Sequence, residues 1–288
     1  MEITQIGIND ANYPERLRNI HEPPKKLFVR GALAPQDDIA IAIVGSRKCT
    51  TYGKQAAYDL ARELAGMGVT IISGMALGID GEAHKGALDA GGRTIAVLGT
   101  GVDKQSIYPH THQSLAERIV KQGAVLSEFE SLTPAYPSNF PQRNRIISAL
   151  SLGVVIVEAN EKSGSLITAN FALEQGKDVF AVPGPIYSAN STGTNKLIQQ
   201  GAKLTLNAQD ILDELGIEPI RQTTTQGNED IPEEQRLILT LIREESASTD
   251  TIIVKTKLPS SLVLQAITML ELQRKIRRIG ANTYGIKN

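Results

Sequence analysis

Two glycine-containing turns, each following a short β-branched apolar run, most constrain how this chain folds. The run Ile39–Val44 leads into Gly45-Ser46-Arg47, and Val69–Ser73 leads into residues 74–78, Gly-Met-Ala-Leu-Gly. A segment with helical periodicity follows each turn, so the block predicts two successive strand-turn-helix units. Glycine in such a turn lets a ligand approach the backbone N–H groups at the positive end of the next helix. The block therefore predicts a site for a phosphate-bearing ligand.

Apolar strands alternate with helical segments from residue 39 to residue 215. Strands are predicted at 39–45, 69–73, 94–98, 124–127, 153–158, 178–182 and 202–206. Helices are predicted at 52–66, 79–90, 112–122, 141–151, 165–176, 193–200 and 207–215. This alternation is typical of parallel βαβ units, and continuous apolar strands such as 153–157 indicate burial on both faces. We predict an α/β fold with a doubly wound, mostly parallel sheet.

The composition of the flanking segments suggests four parts. Residues 1–36 have little apolar periodicity and contain Pro23-Pro24, so we expect an extended N-terminal arm with a short turn, packed on the next part of the chain. Residues 37–216 would be the α/β domain. Residues 217–231 include three consecutive threonines and few apolar residues, which indicates a linker. Residues 232–288 would then form a second, smaller domain.

The pattern of this second domain predicts a winged helix. Helices are expected at 232–243, 249–257 and 262–273, followed by strands at 276–279 and 283–286 around Gly280-Ala281-Asn282. The third helix would bury a stripe of Leu262, Ala266, Met269, Leu270 and Leu272. Basic residues would lie near the end of this helix and in the wing: Lys255, Lys257, Arg274, Lys275, Arg277 and Arg278. They suit either a nucleic-acid reader or a solvated basic face on a module that binds protein.

Several classes of protein are disfavoured by what the sequence lacks. It contains no GxxxxGK[ST], GxGxxG or GxSxG motif, and four scattered histidines with one cysteine form no zinc-site pattern. We therefore expect no cofactor, no metal and no enzyme activity. His84 and Asp80 lie four residues apart on a predicted helix and are more readily explained as a structural pair than as an acid and a base. No signal peptide or membrane span is indicated, which favours the cytoplasm.

Charge and aromatic content argue against an extended nucleic-acid surface on the large domain. Acidic residues outnumber basic ones in 37–231, whereas basic residues outnumber acidic ones in 232–288. Aromatic residues make up 4 % of the chain, which disfavours an extended base-stacking platform. Any basic site on the large domain must therefore be local.

The turns at the carboxyl ends of the strands are expected to form this local site, because ligands of open α/β sheets bind there. Glycine and hydroxyl residues recur at 45–47, 73–78, 99–101, 163–168 and 183–185. In residues 139–147, Pro141 fits a helix start, which places Arg143 and Arg145 where positive charge opposes the helix dipole. An anionic ligand would explain them, and so would pairing with Glu128, Glu130 or Glu158. Residues two apart lie about 200° apart around a helix, so both cannot face one pocket.

These motifs resemble those of one known family. The resemblance is carried in order by IAIVGSR (41–47), SGMALGIDGEAHKGAL (73–88), TIAVLGTGVD (94–103), FPQRNRIISALS (140–151), SGSLITANFALEQGKDVFAVPG (163–184) and GTNKLIQQGA (193–202). They are similar to the DNA-processing protein A family, DprA/Smf, over residues 39–215. Tyr13-Pro14 and residues 23–31 also match. Many members carry a helical N-terminal domain, which we expect to be missing here.

The resemblance implies an extended Rossmann-like domain that binds single-stranded DNA, forms a homodimer and helps load the recombinase RecA in natural transformation. It implies neither nuclease nor ATPase activity. Carried over to this sequence, the DNA-binding residues would be Gly45, Ser46, Arg47, Ser73, Gly74, Met75, Ala76, Gly78, Arg143, Asn144, Arg145, Ser163, Gly164, Ser165 and Thr168.

Two other classes of function stay open at this stage. A nucleotide-processing enzyme of the related lysine-decarboxylase-like (Lonely Guy) family shares the glycine-rich core, but its PGGxGTxxE signature has no counterpart in residues 163–169. A ligand-sensing winged-helix regulator would also join these two domains. It would bind a defined duplex, whereas the DNA-processing family would prefer a single strand.

Overall fold

A computed structural model of the chain describes residues 2–218, 232–244, 246–273, 275–278, 280 and 282–286. The chain forms two compact units, residues 1–222 and 223–288. The predicted linker, 217–231, lies outside the described residues except for Ile217 and Glu218. Its boundaries, and those of the predicted domains, stay predictions. Among the described helices, none combines the length and apolarity needed to cross a bilayer.

The first unit is built on one large, mostly parallel sheet. Its strands are β1 (Ile3–Gly7), β2 (Lys26–Gly31), β3 (Ala40–Val44), β4 (Thr70–Ser73), β5 (Thr94–Val97), β6 (Ala124–Ser127), β7 (Gly153–Ile156), β8 (Asp178–Ala181) and β9 (Lys203–Leu204). They lie in the order β1-β2-β6-β5-β4-β3-β7-β8-β9. All pairs from β6 to β9 are parallel. The predicted doubly wound, mostly parallel sheet is confirmed.

Helices cover both faces of this sheet. They are α1 (Glu15–Arg18), α2 (Thr51–Gly66), α3 (Ile79–Asp89), α4 (Gln113–Gln122), α5 (Asn139–Leu150), α6 (Ser165–Glu174), α7 (Thr192–Gln199) and α8 (Ala208–Leu215). Strand β3 contributes to two cores: Ala42 and Val44 pack with residues of α5 and α6, and Ile41 and Ile43 pack with residues of α2, α3 and α8. This two-sided burial explains why the strand is an uninterrupted apolar run.

The N-terminal segment differs from the predicted arm, because it adds two strands to the sheet. Strand β1 pairs antiparallel with β2, and β2 pairs antiparallel with β6. Leu27 and Val29 of β2 are buried on one face of the sheet. The adjacent Arg30 obscured this alternation, yet it is buried too, because it pairs with Glu117 of α4 at 2.8 Å.

The second unit is a winged helix, as predicted. It contains α9 (Glu233–Glu244), α10 (Thr249–Thr256), α11 (Ser260–Leu272) and a small sheet of β10 (Ala247–Ser248), β12 (Thr283–Ile286) and β11 (Ile276–Arg278), in that order. The stripe predicted for α11 is wrong in part: Met269 and Leu272 are 41 % and 73 % exposed, whereas Val263 and Ile267 take their places in the core. The predicted basic residue Arg274 and turn residue Ala281 lie outside the described residues.

Candidate nucleic-acid interface

A pocket of about 650 Å³ opens at the carboxyl ends of the parallel strands. Loops after β3 and β7, the start of α3 and the first turns of α5 and α6 enclose it. We call it the strand-end pocket. Of the predicted site residues, it is lined by Gly45, Ser46, Arg47, Ala76, Arg143, Asn144, Ser163, Gly164, Ser165 and Thr168. Distant segments of the sequence therefore meet at the carboxyl ends of the strands, where open α/β sheets bind their ligands. We call this the strand-end rule.

The loop after β3 is held close to the loop after β7. The N–H of Ser46 donates to the carbonyl of Glu158 at 2.7 Å. A Cβ on Gly45 would stand 2.9 Å from that carbonyl and 2.7 Å from Ile79, so only glycine fits this approach. The Ser46 hydroxyl oxygen accepts from the N–H of Lys48 at 3.1 Å, which leaves its O–H available to an anion.

Arg47 is an exposed cation of the pocket. Its guanidinium lies 5.1 Å from the centre of the Phe140 ring, in cation–π geometry. It forms no salt bridge within the described part of the chain. The ring of Tyr108, 6.0 Å from that of Phe140, extends the same wall. Arg47 thus presents both a charge and a flat aromatic neighbour to the pocket.

Arg143 lies beneath the pocket and braces the loop after β4. Its side chain is buried, and Nη1 donates to the carbonyls of Gly74, at 2.8 Å, and Val97. A Cβ on Gly74 would meet this guanidinium at 2.5 Å. Burial lowers the pKa of Arg143 to about 10. Burial also raises the pKa of Asp80, and the positive charge of Arg143 offsets part of this rise. Arg143 is still a cation at neutral pH and contributes its field to the pocket.

Arg145 points away from the strand-end pocket. Its guanidinium pairs with both carboxylate oxygens of Glu128, at 2.8 and 2.7 Å, and its Nε donates to the carbonyl of Glu22 at 3.2 Å. The expected angle of about 200° between residues two apart accounts for the difference from Arg143. The structure therefore places Arg145 in an anchor between α5 and the N-terminal segment.

The loop after β4 differs from its predicted role as a source of free N–H donors. The N–H groups of Gly74 and Ala76 donate to Oδ2 of Asp80, at 3.1 and 3.3 Å. Asp80 lies in the first turn of α3, where a carboxylate caps backbone N–H groups. The position of Asp80 just after the glycine-rich loop is the sequence feature that indicates this capping role. Of the predicted residues in this loop, only Ala76 lines the pocket.

The other predicted residues of this loop support it from below. The Ser73 hydroxyl is buried and donates to the carbonyl of Ile43 at 2.6 Å. Met75 is fully buried with a φ of 56°. Gly78, with a φ of 80°, packs directly against the backbone of Ser46 and Arg47, where no Cβ would fit. Ser73 and Gly78 thus support β3 and the loop after it, whereas Met75 packs into the core.

The start of α6 closes the opposite side of the pocket. The hydroxyls of Ser163 and Ser165 lie 2.8 Å apart. Asn144 of α5 joins this side by donating from Nδ2 to the carbonyl of Gly164 at 3.3 Å. The positive end of the α6 dipole therefore faces the pocket beside two hydroxyl groups, which favours an anion.

Asp80 and His84 do not form the predicted pair. The Thr94 hydroxyl donates to the carbonyl of Ile71 at 2.7 Å, so it accepts from Nδ1–H of His84 at 2.6 Å. His84 is completely buried, and burial lowers its pKa to about 3. It is a neutral structural residue.

Sequence reasoning missed several pocket residues, among them Lys48, Tyr108, Phe140 and Asn160. Low aromatic content argued against an extended stacking surface, yet Tyr108 and Phe140, far apart in the sequence, form a compact aromatic wall. The position of Phe140 three residues before Arg143 was the one available signal. Lys48 followed Arg47 directly and adds a second exposed cation.

The fold and the pocket define a class: a Rossmann-like domain with a cationic strand-end pocket, in a chain that also carries a winged helix. Comparison with known proteins identifies the family. The family model for DNA recombination-mediator protein A matches residues 4–216, and the DprA winged-helix model matches residues 222–282. This chain belongs to the DNA recombination-mediator protein A (DprA/Smf) family.

Individual relatives agree with this assignment. The chain is 46 % identical to DNA processing protein DprA of Bacillus subtilis over 214 residues, which cover 74 % of this chain and 71 % of that protein. The structure of DNA processing protein A from Streptococcus pneumoniae superposes with a TM-score of 0.70 and 41 % identity, over 74 % of each chain. The structure from Helicobacter pylori, described for its unique single-stranded DNA binding mode, has a TM-score of 0.66 and 34 % identity, over 74 % of this chain and 95 % of that one.

Proposed function

We propose that this protein binds single-stranded DNA in the strand-end pocket and helps load the recombinase RecA onto that DNA in natural transformation. The family supports a role in DNA processing, and the H. pylori relative is described as binding single-stranded DNA. The observation that carries the proposal is the position of the Arg47 guanidinium over the Phe140 ring. It joins a phosphate-binding group to a surface on which a base can stack.

The pocket residues divide naturally between the two parts of a nucleotide. Arg47, Lys48, the Ser46 hydroxyl and the N-terminus of α6 would hold phosphate. Phe140 and Tyr108 would contact the base, whose flat face is free in a single strand and covered in a duplex. None of these groups reads base edges in a fixed pattern, so we expect little dependence on sequence.

The nearby carboxylates are kept from opposing the phosphate. Asp80 accepts two backbone N–H groups. Glu158 accepts both the N–H of Thr50, at 2.8 Å, and its hydroxyl, at 2.5 Å. Both side chains are buried. Because they are bound to the protein's own donors, we assign the pocket to binding without catalysis. A cytoplasmic location is part of the proposal, since a role in DNA processing implies it.

We further propose a homodimer formed through the first unit. Strand β9 is an edge strand of only two residues. Leu204 in the strand is 42 % exposed, and Leu206 just after it is 71 % exposed. An exposed edge strand with apolar side chains can pair with the same edge of a second copy across a two-fold axis. Light scattering of a chain lacking residues 217–288 tests this: a dimer is expected, and a monomer would refute it.

In the winged helix, basic side chains occupy the end of α10 and the wing, whereas α11 itself contains no lysine or arginine. Lys255, Lys257 and Arg277 are exposed. A duplex reader normally places basic and polar side chains on its recognition helix. Because α11 lacks the basic side chains of a duplex reader, we do not assign duplex reading to it, and the proposed DNA contacts are those of the strand-end pocket.

Fluorescence anisotropy with labelled oligonucleotides tests the DNA-binding function. A single strand should bind more tightly than its duplex. The logarithm of the binding constant should fall by about 0.7 for each phosphate contact per tenfold rise in salt. A preference for one defined duplex would contradict the proposal, and so would binding that salt leaves unchanged.

A further inference from the structure

The row of strand-end loops continues beyond the strand-end pocket to the loop after β8, residues 182–191. In this loop the N–H of Ser188 donates to the carbonyl of Pro185 at 3.0 Å, which places Ile186 and Tyr187 at the tip of a tight turn. Ile186 is 75 % exposed and Tyr187 is 96 % exposed. Such tips usually carry glycine, proline, asparagine, aspartate or serine. The turn itself does not explain two large apolar side chains in solvent.

This turn is firmly anchored on its N-terminal side. Gly184 exchanges two hydrogen bonds with the Asn195 amide, at 3.2 and 3.0 Å. The Tyr52 hydroxyl donates to the carbonyl of Pro183 at 2.9 Å. An aromatic side chain on an anchored loop binds a flat ligand without the entropic cost of first ordering the loop.

The loop is also joined to the strand-end pocket. Asn190 donates from Nδ2 to the carbonyl of Lys48 at 3.0 Å, and its own carbonyl accepts from the N–H of Ala159 at 2.8 Å. Lys48 lines the strand-end pocket. The exposed ammonium group of Lys48 is therefore carried by a residue whose backbone contacts the loop after β8 and which borders the pocket.

A cleft of about 660 Å³ lies beneath the turn. Its walls include Pro183, Pro185, Ile186 and the half-exposed ring of Tyr52. The exposed ring of Tyr187 and the half-exposed ring of Tyr52 each offer a flat face to solvent. A base of any identity can stack on such a face.

We propose that the Tyr187 turn and its cleft form a second nucleobase-binding site, where a later base of the same DNA strand stacks while Lys48 neutralises the intervening phosphate. This inference rests on the single-stranded DNA binding proposed above. An aromatic ring accepts any base by its face, and cations along the backbone path complete such a site. The second site extends the DNA path along the carboxyl edge of the sheet, from β3 across β7 to β8.

The chain contains no tryptophan, so Tyr187→Trp introduces a single indole reporter at the proposed site. Oligothymidylates of increasing length are then titrated. We expect the shortest oligomers that bind to leave the indole fluorescence unchanged and longer ones to quench it by stacking. Leu173→Trp is the matched control, because Leu173 is 59 % exposed near the carboxyl end of α6, and no quenching is expected there. DNA that binds tightly at all lengths without quenching the indole of Tyr187→Trp would overturn the second site.

Affinity measurements provide a second test. Tyr187→Leu should weaken binding of long oligomers about tenfold, the scale of one lost base stack, and leave the shortest unaffected. Tyr187→Phe keeps the ring and should bind as the parent protein does. Equal affinity of the Leu and Phe variants for long DNA would refute the stacking role. A changed oligomeric state with unchanged DNA binding would instead assign the turn to a protein contact.

These outcomes separate the second site from the proposed function. If the parent protein binds DNA through Arg47 while every Tyr187 variant binds normally at all lengths, only the second site fails. If the parent protein binds no single-stranded DNA, the proposed function fails as well.

Discussion

Arg143 and Arg145 lie two residues apart in α5, yet their guanidinium groups form hydrogen bonds on different sides of this helix. Arg143 donates to the carbonyl of Gly74 beneath the strand-end pocket. Arg145 pairs with Glu128 on the side of the N-terminal segment. On the same helix, Arg143 therefore supports the pocket and Arg145 supports the fold, and mutation distinguishes the two roles.

We expect Arg145→Ala to destabilise the protein without changing the DNA affinity of its folded fraction. The side chains of Arg145 and Glu128 are 8 % and 11 % exposed. Removing one partner of such a buried pair leaves an uncompensated charge and costs about 3–5 kcal/mol. Thermal unfolding and anisotropy measure the two effects. Adding Glu128→Ala should recover part of the lost stability, and weaker DNA binding at full stability would contradict this assignment.

Arg47→Ala should have the reverse effect. Its guanidinium is exposed and supports little of the core, so we expect the melting temperature to change little. Binding of every single-stranded sequence should weaken by about 1–3 kcal/mol, and the salt dependence should fall by about one phosphate contact. Arg62→Ala, at an exposed arginine of α2, serves as the control. A destabilised Arg47→Ala protein whose folded fraction binds DNA normally would show that Arg47 is a structural strut.

Glu158 is predicted to act on DNA binding through the loop after β3. Its carboxylate holds Thr50 and packs against Gly53, where no Cβ would fit. Glu158→Gln replaces one acceptor oxygen by a donor, which we expect to cost about 1–3 kcal/mol of stability and to weaken DNA binding by loosening Arg47. Thr50→Ala removes the hydroxyl that donates to one carboxylate oxygen of Glu158. The double variant should therefore lose less stability and less DNA affinity than the two single variants lose in sum. Strict additivity would indicate that the contact does not position the loop.

The parallel strands were predictable because each carries its own signal. In β3, alanines and isoleucines fill two cores, so the apolar run is unbroken. Strand β2 lacked such a signal, because Arg30 is buried by pairing with Glu117, 87 residues away. A pairing of that kind depends on the tertiary fold and has no local trace in the sequence.

The candidate site was predictable to a similar degree. The strand-end rule brought the loops containing Arg47 and Ser163 to one edge, where the structure has them. It did not reveal that Asp80 would occupy the N–H groups of the second glycine turn. Nor did it place Phe140 beside Tyr108, because their contact depends on the relative position of two separate loops.

His84 is expected to make the stability of the protein depend on pH. The pKa of this buried imidazole is lowered from 6.5 to about 3 by loss of hydration, with further contributions from His112 and Arg143. Between these two values the unfolded chain binds more protons at this position than the folded protein does. The free energy of unfolding should therefore decrease as pH falls below 6.5, by up to about 1.4 kcal/mol per pH unit from this group alone.

His84→Asn tests this linkage, because its amide nitrogen can replace Nδ1 as the donor to Thr94 and does not titrate. We expect the variant to be less stable at neutral pH, since it leaves a small cavity. Its free energy of unfolding should nevertheless decline less steeply than that of the parent protein between pH 6.5 and 4. Denaturant unfolding at a series of pH values measures both slopes, and carboxylates titrate alike in the two proteins. Parallel slopes would mean that His84 gains its proton at the same pH in the folded protein as in the unfolded chain, and the buried neutral imidazole would be refuted.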